Sequence, residues 1–421
     1  MSDQPEASRR PVSALQLLAL GINGIVGVGI FFIPASVAAS APGLGAVAVF
    51  ALTGLALLPA ALTLATLGAR FDEDGGPVVF ARAAFGDHVA FVVGWVAYVS
   101  ALFSTSAVAA GLTRATLGAL SVPGVLAAAA PALLVTLLAA IVASGLRLSA
   151  RVWTGLTLAK LLPLLLLVAA FALAFSRFPL PEATGPTAGW WRAALVAVFA
   201  CQGFEIVPVI AGQVRASARA VPFATVGSLV LAIVLYLALV LACVAALPGL
   251  ASAGAPLAET AGVLGGPGLA RLVALGTSVS ALGITFGMMV TTPRYLSALA
   301  AGGRELVGLD RVSDKGVPTR ALAVTWLAVA TIVSLGELGQ LFALSSIAVL
   351  MQLGTSALAL VVLALRRERG LGPLAAWPAV PTLAVAAVLV ASGATVREGQ
   401  VAAGAVLVGL LLLWLAPRRT R

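Results

Sequence analysis

Apolar residues in this chain fall in long unbroken runs. The alternating or every-third-position patterns of a half-buried soluble element are missing. The runs cover about 14–38, 45–69, 89–113, 125–145, 152–175, 191–212, 226–247, 270–292, 321–335, 340–364, 374–391 and 401–416. A helix that crosses a bilayer needs ~20 such residues, so the pattern predicts twelve membrane helices. The ninth, eleventh and twelfth are short, and 321–364 is open to another split at Gly336–Gly339. The longest polar stretches, 70–88 and 301–320, read as loops. Arg9 and Arg10 before the first run imitate a signal peptide. The run continues into Gly and Pro without a small-residue cleavage site, so an uncleaved first helix is expected.

Composition agrees with the pattern. Hydrophobic residues make up 61% and charged residues 10%, against about 45–50% and about 25% in a soluble domain. The formal charge of +10 is a topology signal and does not mark a nucleic-acid surface. With the N-terminus in the cytoplasm and spans alternating, 19 of the 25 Lys and Arg residues lie inside. Arg114, Arg177, Arg192, Arg271 and Arg397 lie outside, and Lys160 lies within a span. That bias follows the positive-inside rule and places both termini in the cytoplasm. Arg-rich usage with two lysines fits a GC-rich bacterial gene, so the expected location is a bacterial inner membrane. His88 is the one histidine, which leaves no His-based metal site or triad, and no cofactor is implied. Cys201 and Cys243 sit inside apolar runs and read as free thiols.

Two spans are interrupted. The first reads Gly21-Ile-Asn-Gly-Ile-Val-Gly-Val-Gly-Ile-Phe-Phe-Ile-Pro34, with four glycines in nine residues. The sixth reads Val198-Phe-Ala-Cys-Gln-Gly-Phe-Glu205-Ile-Val-Pro208, where Gln202, Gly203, Glu205 and Pro208 break an apolar helix. Close helix packing alone explains either one. Together they are more specific, because each opens a block of five spans. Interrupted helices at matching places in two halves point to a transporter site, and an odd number of spans per block inverts one half against the other. Unwinding frees N–H groups that suit an anion and C=O groups that suit a cation. One site with both suits a zwitterion such as an α-amino acid.

These residues resemble the amino acid–polyamine–organocation family of permeases. Gly24-Ile-Val-Gly-Val-Gly-Ile-Phe-Phe-Ile-Pro34 is similar to its helix-1 signature, and Gly75-Gly-Pro-Val-Val-Phe-Ala-Arg-Ala-Ala-Phe-Gly86 to its loop after helix 2. Phe204-Glu205 with Arg215, Arg219 and Pro222 resembles helix 6 and the loop after it. Thr292-Pro-Arg-Tyr-Leu-Ser-Ala-Leu-Ala300 and Gly316-Val-Pro-Thr-Arg320 resemble the approach to helix 9. Gln213 stands where the family usually has an acid.

The resemblance implies an all-α, LeuT-like fold of five plus five inverted helices with two more at the C-terminal end, and alternating access. The expected layout is an N-terminal tail over 1–13, a first repeat over 14–175, a second over 190–365, and two further helices over 374–416. Carried over by position, the substrate carboxylate meets N–H groups near Gly27, Val28 and Gly29. The ammonium meets carbonyls near Ile25, Phe199, Ala200 and Gln202, and Phe199 is an aromatic gate. Gly24 and Cys201 belong to the same two broken segments. Ala101, Leu102, Ser106 and Ile284 surround the side-chain end. None is charged, so a small or medium neutral amino acid is expected.

Lys160 lies nine residues past Arg151, roughly 13 Å along a helix at 1.5 Å per residue. That is too deep for its side chain to reach the headgroups, and deep ionisable residues default to function. It resembles a helix-5 lysine that replaces Na⁺ in part of the family, bridging the unwound part of helix 1 to Thr277, Ser278 and Ser280. Sodium-independent, proton-coupled transport follows, with Lys160 cycling a proton or standing as a fixed cation. Glu205 is either a gate, a proton carrier, or a carboxylate that shapes the break by accepting freed N–H groups. Asp72, Glu73 and Asp74 read as a solvated run that pairs with basic loops in one conformation. An intramembrane enzyme lacks a catalytic set here, and a channel or nutrient sensor shares the helical signals. Exchange, export and polyamine or amine transport remain alternatives within the fold, and the oligomeric state is open.

Overall fold

A chain crossing lipid must satisfy its backbone polar groups internally, and for continuous apolar runs the α-helix does so. The computed structural model describes residues 12–27, 29–117, 124–145, 150–181, 187, 189–214, 216–301 and 308–415. In chain order the helices are α1 (Ala14–Ile25), α2 (Gly29–Ser40), α3 (Leu44–Gly68), α4 (Pro77–Phe85), α5 (Asp87–Leu117), α6 (Gly124–Ala143) and α7 (Ala150–Ala174). They continue with α8 (Gly189–Cys201), α9 (Ser217–Ala246), α10 (Pro256–Ala301), α11 (Thr319–Leu335), α12 (Leu338–Leu365), α13 (Ala379–Gly393) and α14 (Val396–Leu415). A 3₁₀ segment, Phe204–Gln213, follows α8. Among the described residues the only β pairing is an isolated bridge between Val12 and Val214.

Ten helical segments among the described residues are long and apolar enough to cross a membrane. The pair α1 and α2, bent by 44°, makes an eleventh. The apolar α11 has 17 residues, roughly 25 Å at 1.5 Å per residue and short of a ~30 Å hydrocarbon core. Gly336 and Glu337 are extended and separate α11 from α12, so 321–364 is two helices.

Two stretches differ from the pattern reading. The 70–88 loop contains α4, started by Pro77 at its first turn and stopped at Gly86, whose φ is +86°. Proline inside the start and glycine past the end is a helix signal in its own right. Val79, Phe80, Ala81 and Ala84 are buried, and α4 packs on α5 and α12. The run at 270–292 is the middle of a much longer helix, α10, kinked at Gly266 with φ +72°. His88 stands exposed in the first turn of α5, and Cys201 and Cys243 are buried free thiols.

The helices pack in two groups. In one, α1 and α3 lie along α9, and α2 lies along α8. In the other, α5 packs on α10, α7 on α10 and α6 on α11, while α12 runs beside α5 and also touches α8. The loop before α4 is fastened to the first group. Gly75 N–H donates to the Val209 carbonyl at 2.8 Å, and Gly212 N–H to Asp74 Oδ1 at 3.1 Å. Glu73 meets Arg369 at 3.4 Å, and Arg369 lies 4.1 Å over the Phe71 ring. Part of the acidic run therefore pairs with a basic segment, as the sequence suggested. Gln213 is described only in its backbone, and Arg215 lies outside the described residues.

Candidate functional site

Both interrupted segments break, and the breaks meet. Helix α1 ends at Ile25 and α2 resumes at Gly29; Val28, expected at the carboxylate site, lies outside the described residues. Helix α8 ends at Cys201, and Gly203 turns the chain with φ +122°. A Cβ on Gly24 would lie 3.1 Å from the Gly203 carbonyl oxygen. A Cβ on Gly203 would lie 2.5 Å from the Gly24 oxygen and 2.7 Å from the Ile25 nitrogen. Backbone rests on backbone here, and at Gly203 only glycine permits it.

Several of the groups freed by the breaks find partners inside the protein. The Asn23 carbonyl accepts from Lys160 Nζ at 2.9 Å. The Ile25 carbonyl accepts from Gly27 N–H at 2.6 Å and from Tyr236 Oη at 2.7 Å. Gly203 N–H donates to Glu205 Oε2 at 2.6 Å. Lys160 is 2% exposed, and its ammonium stands at the C-terminal end of α1, where the helix dipole favours positive charge. The expected ammonium contact at Ile25 is already used by Tyr236. Sequence reasoning passed over that tyrosine, although a hydroxyl in the middle of an apolar span needs a partner.

A cavity of about 170 Å³ adjoins the breaks and extends toward the face that carries α4. It is smaller than the ~300–1,000 Å³ of sites that hold drug-sized ligands. Of the expected binding residues, Gly24, Ala101, Gln202 and Glu205 line it. The other described ones lie outside its wall. The Phe199 ring packs on Phe342 with centroids 4.7 Å apart, and Gly29 rests on the backbone of Ala200. Ser106 Oγ donates to the Leu102 carbonyl at 2.9 Å. Ile25, Leu102 and Cys201 are buried in the core, and Ile284 touches Gly27.

Several lining residues escaped the sequence reading. Ser100, Ser104, Thr291, Thr292, Tyr295 and Gln352 add hydroxyls and an amide to the wall. Gln202 Nε2 donates to Ser104 Oγ at 3.2 Å and to Ser345 Oγ at 3.0 Å, and the two hydroxyls lie 2.6 Å apart. This cluster joins α5, the α8 break and α12. The Thr292 hydroxyl is buried and has no hydrogen-bond partner among the described residues. A polar atom inside a membrane helix is the available sequence signal, and serine and threonine give it weakly because they also bond their own helix. Among the described residues, Glu205 is the one charged group in the lining.

The residues grouped for coupling are not all brought together. Lys160 reaches α1, whereas Thr277 and Ser278 line a separate space of about 50 Å³ beside Phe31 and Phe32. Both donate to their own helix, at Val273 and Ala274. Ser280 is buried and its hydroxyl has no partner among the described residues.

The profile of a protein family described as amino acid permease matches residues 12–409. The chain belongs to the amino acid permease family. An uncharacterized transporter of Mycobacterium tuberculosis is 30% identical over 95% of this chain and 92% of its own. The methylthioribose transporter of Bacillus subtilis is 25% identical over 70% of this chain and 68% of its own. The branched-chain amino acid permease BcaP of the same species is 27% identical over 90% and 86%. These proteins are transporters, and the chain is a multi-pass membrane permease of the same family.

Within this permease, Glu205→Gln separates the two readings of that residue. The amide keeps an acceptor for Gly203 N–H, so a carboxylate that only shapes the break tolerates the change and retains at least half of the transport rate, roughly 0.4 kcal/mol in barrier terms. A gate or proton carrier loses most of it. The bond to Gly203 supports the first outcome, and initial rates in proteoliposomes decide it.

Proposed function

We propose that this permease moves small or medium neutral amino acids across a bacterial inner membrane by alternating access, without sodium and with proton coupling. The observation that carries the reading is the small cavity beside two interrupted helices, walled by hydroxyls and amides with one carboxylate. An anionic side chain would need a cation at its end of the site, and no lining residue among those described supplies one; the one acid, Glu205, already accepts from Gly203 N–H. The branched-chain substrate of BcaP supports the neutral class.

In this reading, residues 14–175 and 190–365 are two inverted repeats with 374–416 added, and both termini face the cytoplasm. The first group of helices rocks against the second about the breaks. Lys160 on the Asn23 carbonyl supports a resident cation where a transported one would otherwise be required.

A thermal-shift screen of the purified protein tests the substrate class, because a ligand that binds the native state raises apparent stability. Alanine, serine, valine or leucine should raise the melting temperature more than arginine, glutamate or a polyamine. A shift with polyamines or with methylthioribose, and with no amino acid, overturns the proposal.

A further inference from the structure

An ion pair at the start of α8 is used neither by the breaks nor by the cavity beside them. Arg192 lies in the first turns of α8, ten residues before Gln202 and so roughly 15 Å from the break at 1.5 Å per residue. Its guanidinium grips Glu398 with both arms, Nη1 to Oε2 at 2.6 Å and Nη2 to Oε1 at 2.8 Å. The same two nitrogens lie 3.4 Å from the Gly393 carbonyl and 3.5 Å from the Gly339 carbonyl. Glu398 is 2% exposed and also accepts from Thr395 N–H at 2.9 Å. A single side chain thus joins the start of α8 to the start of α12 and to the turn between α13 and α14.

What α8 carries with it gives the pair its reach. Helix α2 is bound to α8 at both ends. A Cβ on Gly29 would lie 2.6 Å from Ala200 Cα, and one on Gly189 would lie 2.8 Å from the Ser40 carbonyl. The half-helices beyond the two breaks therefore form one body. The turn after α13 seats on that body directly, since a Cβ on Gly393 would lie 2.6 Å from the Trp191 carbonyl. Charge-assisted bidentate pairs are strong and geometrically exacting, and separating this one strands a buried carboxylate.

We propose that Arg192 and Glu398 are positioning residues for transport. They latch the α2–α8 body onto α12 and the α13–α14 turn while the cavity extends toward the α4 face, and opening to the opposite face requires the latch to part. The proposal rests on alternating access as read above, and not on the identity of the substrate.

The test uses a reporter that needs no substrate. Ser100 lines the cavity, so Ser100→Cys is labelled with a membrane-impermeant maleimide from each face, in intact cells and in inverted vesicles. With the latch intact, labelling from the α4 face should be at least ~10-fold faster than from the other, the ratio set by ~1.4 kcal/mol between the two states. In Arg192→Met/Glu398→Leu, which keeps bulk without charge, labelling from the opposite face should rise at least ~5-fold. The exchanged pair Arg192→Glu/Glu398→Arg should restore the wild-type ratio. Melting temperatures separate this from unfolding. If the apolar pair does not fold, Arg192→Lys, which keeps the charge and loses the fork, is read the same way. A pair that only stabilises the fold lowers the melting temperature and leaves the labelling ratio within twofold of wild type, and that result overturns the proposal.

Discussion

Replacing Lys160 with alanine should cut transport roughly 100-fold while the protein still folds. Hydrogen bonds to charged groups contribute about 1.5–3 kcal/mol, and each 1.4 kcal/mol is tenfold in a rate. The loss has two parts. The Asn23 carbonyl, now bonded to Nζ at 2.9 Å, is left without its cation at the end of α1, and α7 loses its anchor on that helix. Lys160→Met keeps most of the apolar stem and removes only the charge, so it separates packing from electrostatics. A methionine variant as inactive as the alanine variant assigns the effect to the ammonium. Initial rates in proteoliposomes across a range of pH read it directly. An alanine variant with the wild-type rate and the wild-type pH dependence removes Lys160 from the coupling mechanism.

Gly203→Ala should be more damaging still, because it strikes both breaks at once. The residue has φ +122°, which L side chains rarely adopt, at a cost of about 1–3 kcal/mol. Its new methyl would also press on Gly24 and Ile25 backbone atoms at 2.5 and 2.7 Å. Backbone cannot swing aside as a side-chain end can, so overpacking adds about 1–3 kcal/mol. The expected outcome is a lower melting temperature and transport below detection. Gly24→Ala is the graded companion. Its nearest neighbour is the Gly203 oxygen at 3.1 Å, so a shift of a few tenths of an ångström accommodates it, and partial activity should remain. Equal stability for Gly203→Ala and wild type contradicts the contact between the breaks.

The membrane helices were legible because a run of ~20 apolar residues admits one solution in lipid. The two breaks were legible as well, since glycine clusters and a buried glutamate are costly inside a span. What surrounded them was not. The role of Gln202 depends on Ser104 and Ser345, which lie 98 and 143 residues away in the chain, and nothing local marks either serine as its partner. Tyr236 and the Ile25 carbonyl are separated by 211 residues. Glu398 reads as one more acid beside a loop until Arg192 is found against it. The helix α4 was the opposite case, with its proline and glycine signals present and outweighed by the polar residues around them. Thr277 and Ser278 show the converse, a grouping by family position that the helix faces do not reproduce.

The two bonds that fasten the loop before α4 to the 3₁₀ segment, Gly75 to Val209 and Asp74 to Gly212, have a mechanical consequence. Gly75, Pro77 and Val78 wall the cavity on one side, and Glu205, Ile206 and Val209 wall it beside them. Because these strips are tied together, swinging the 3₁₀ segment drags the neighbouring strip with it, as a hinge leaf carries its door. A movement of the 3₁₀ segment would therefore shift the cavity wall facing Tyr295 and Gln352 as one piece, along one coordinate instead of two.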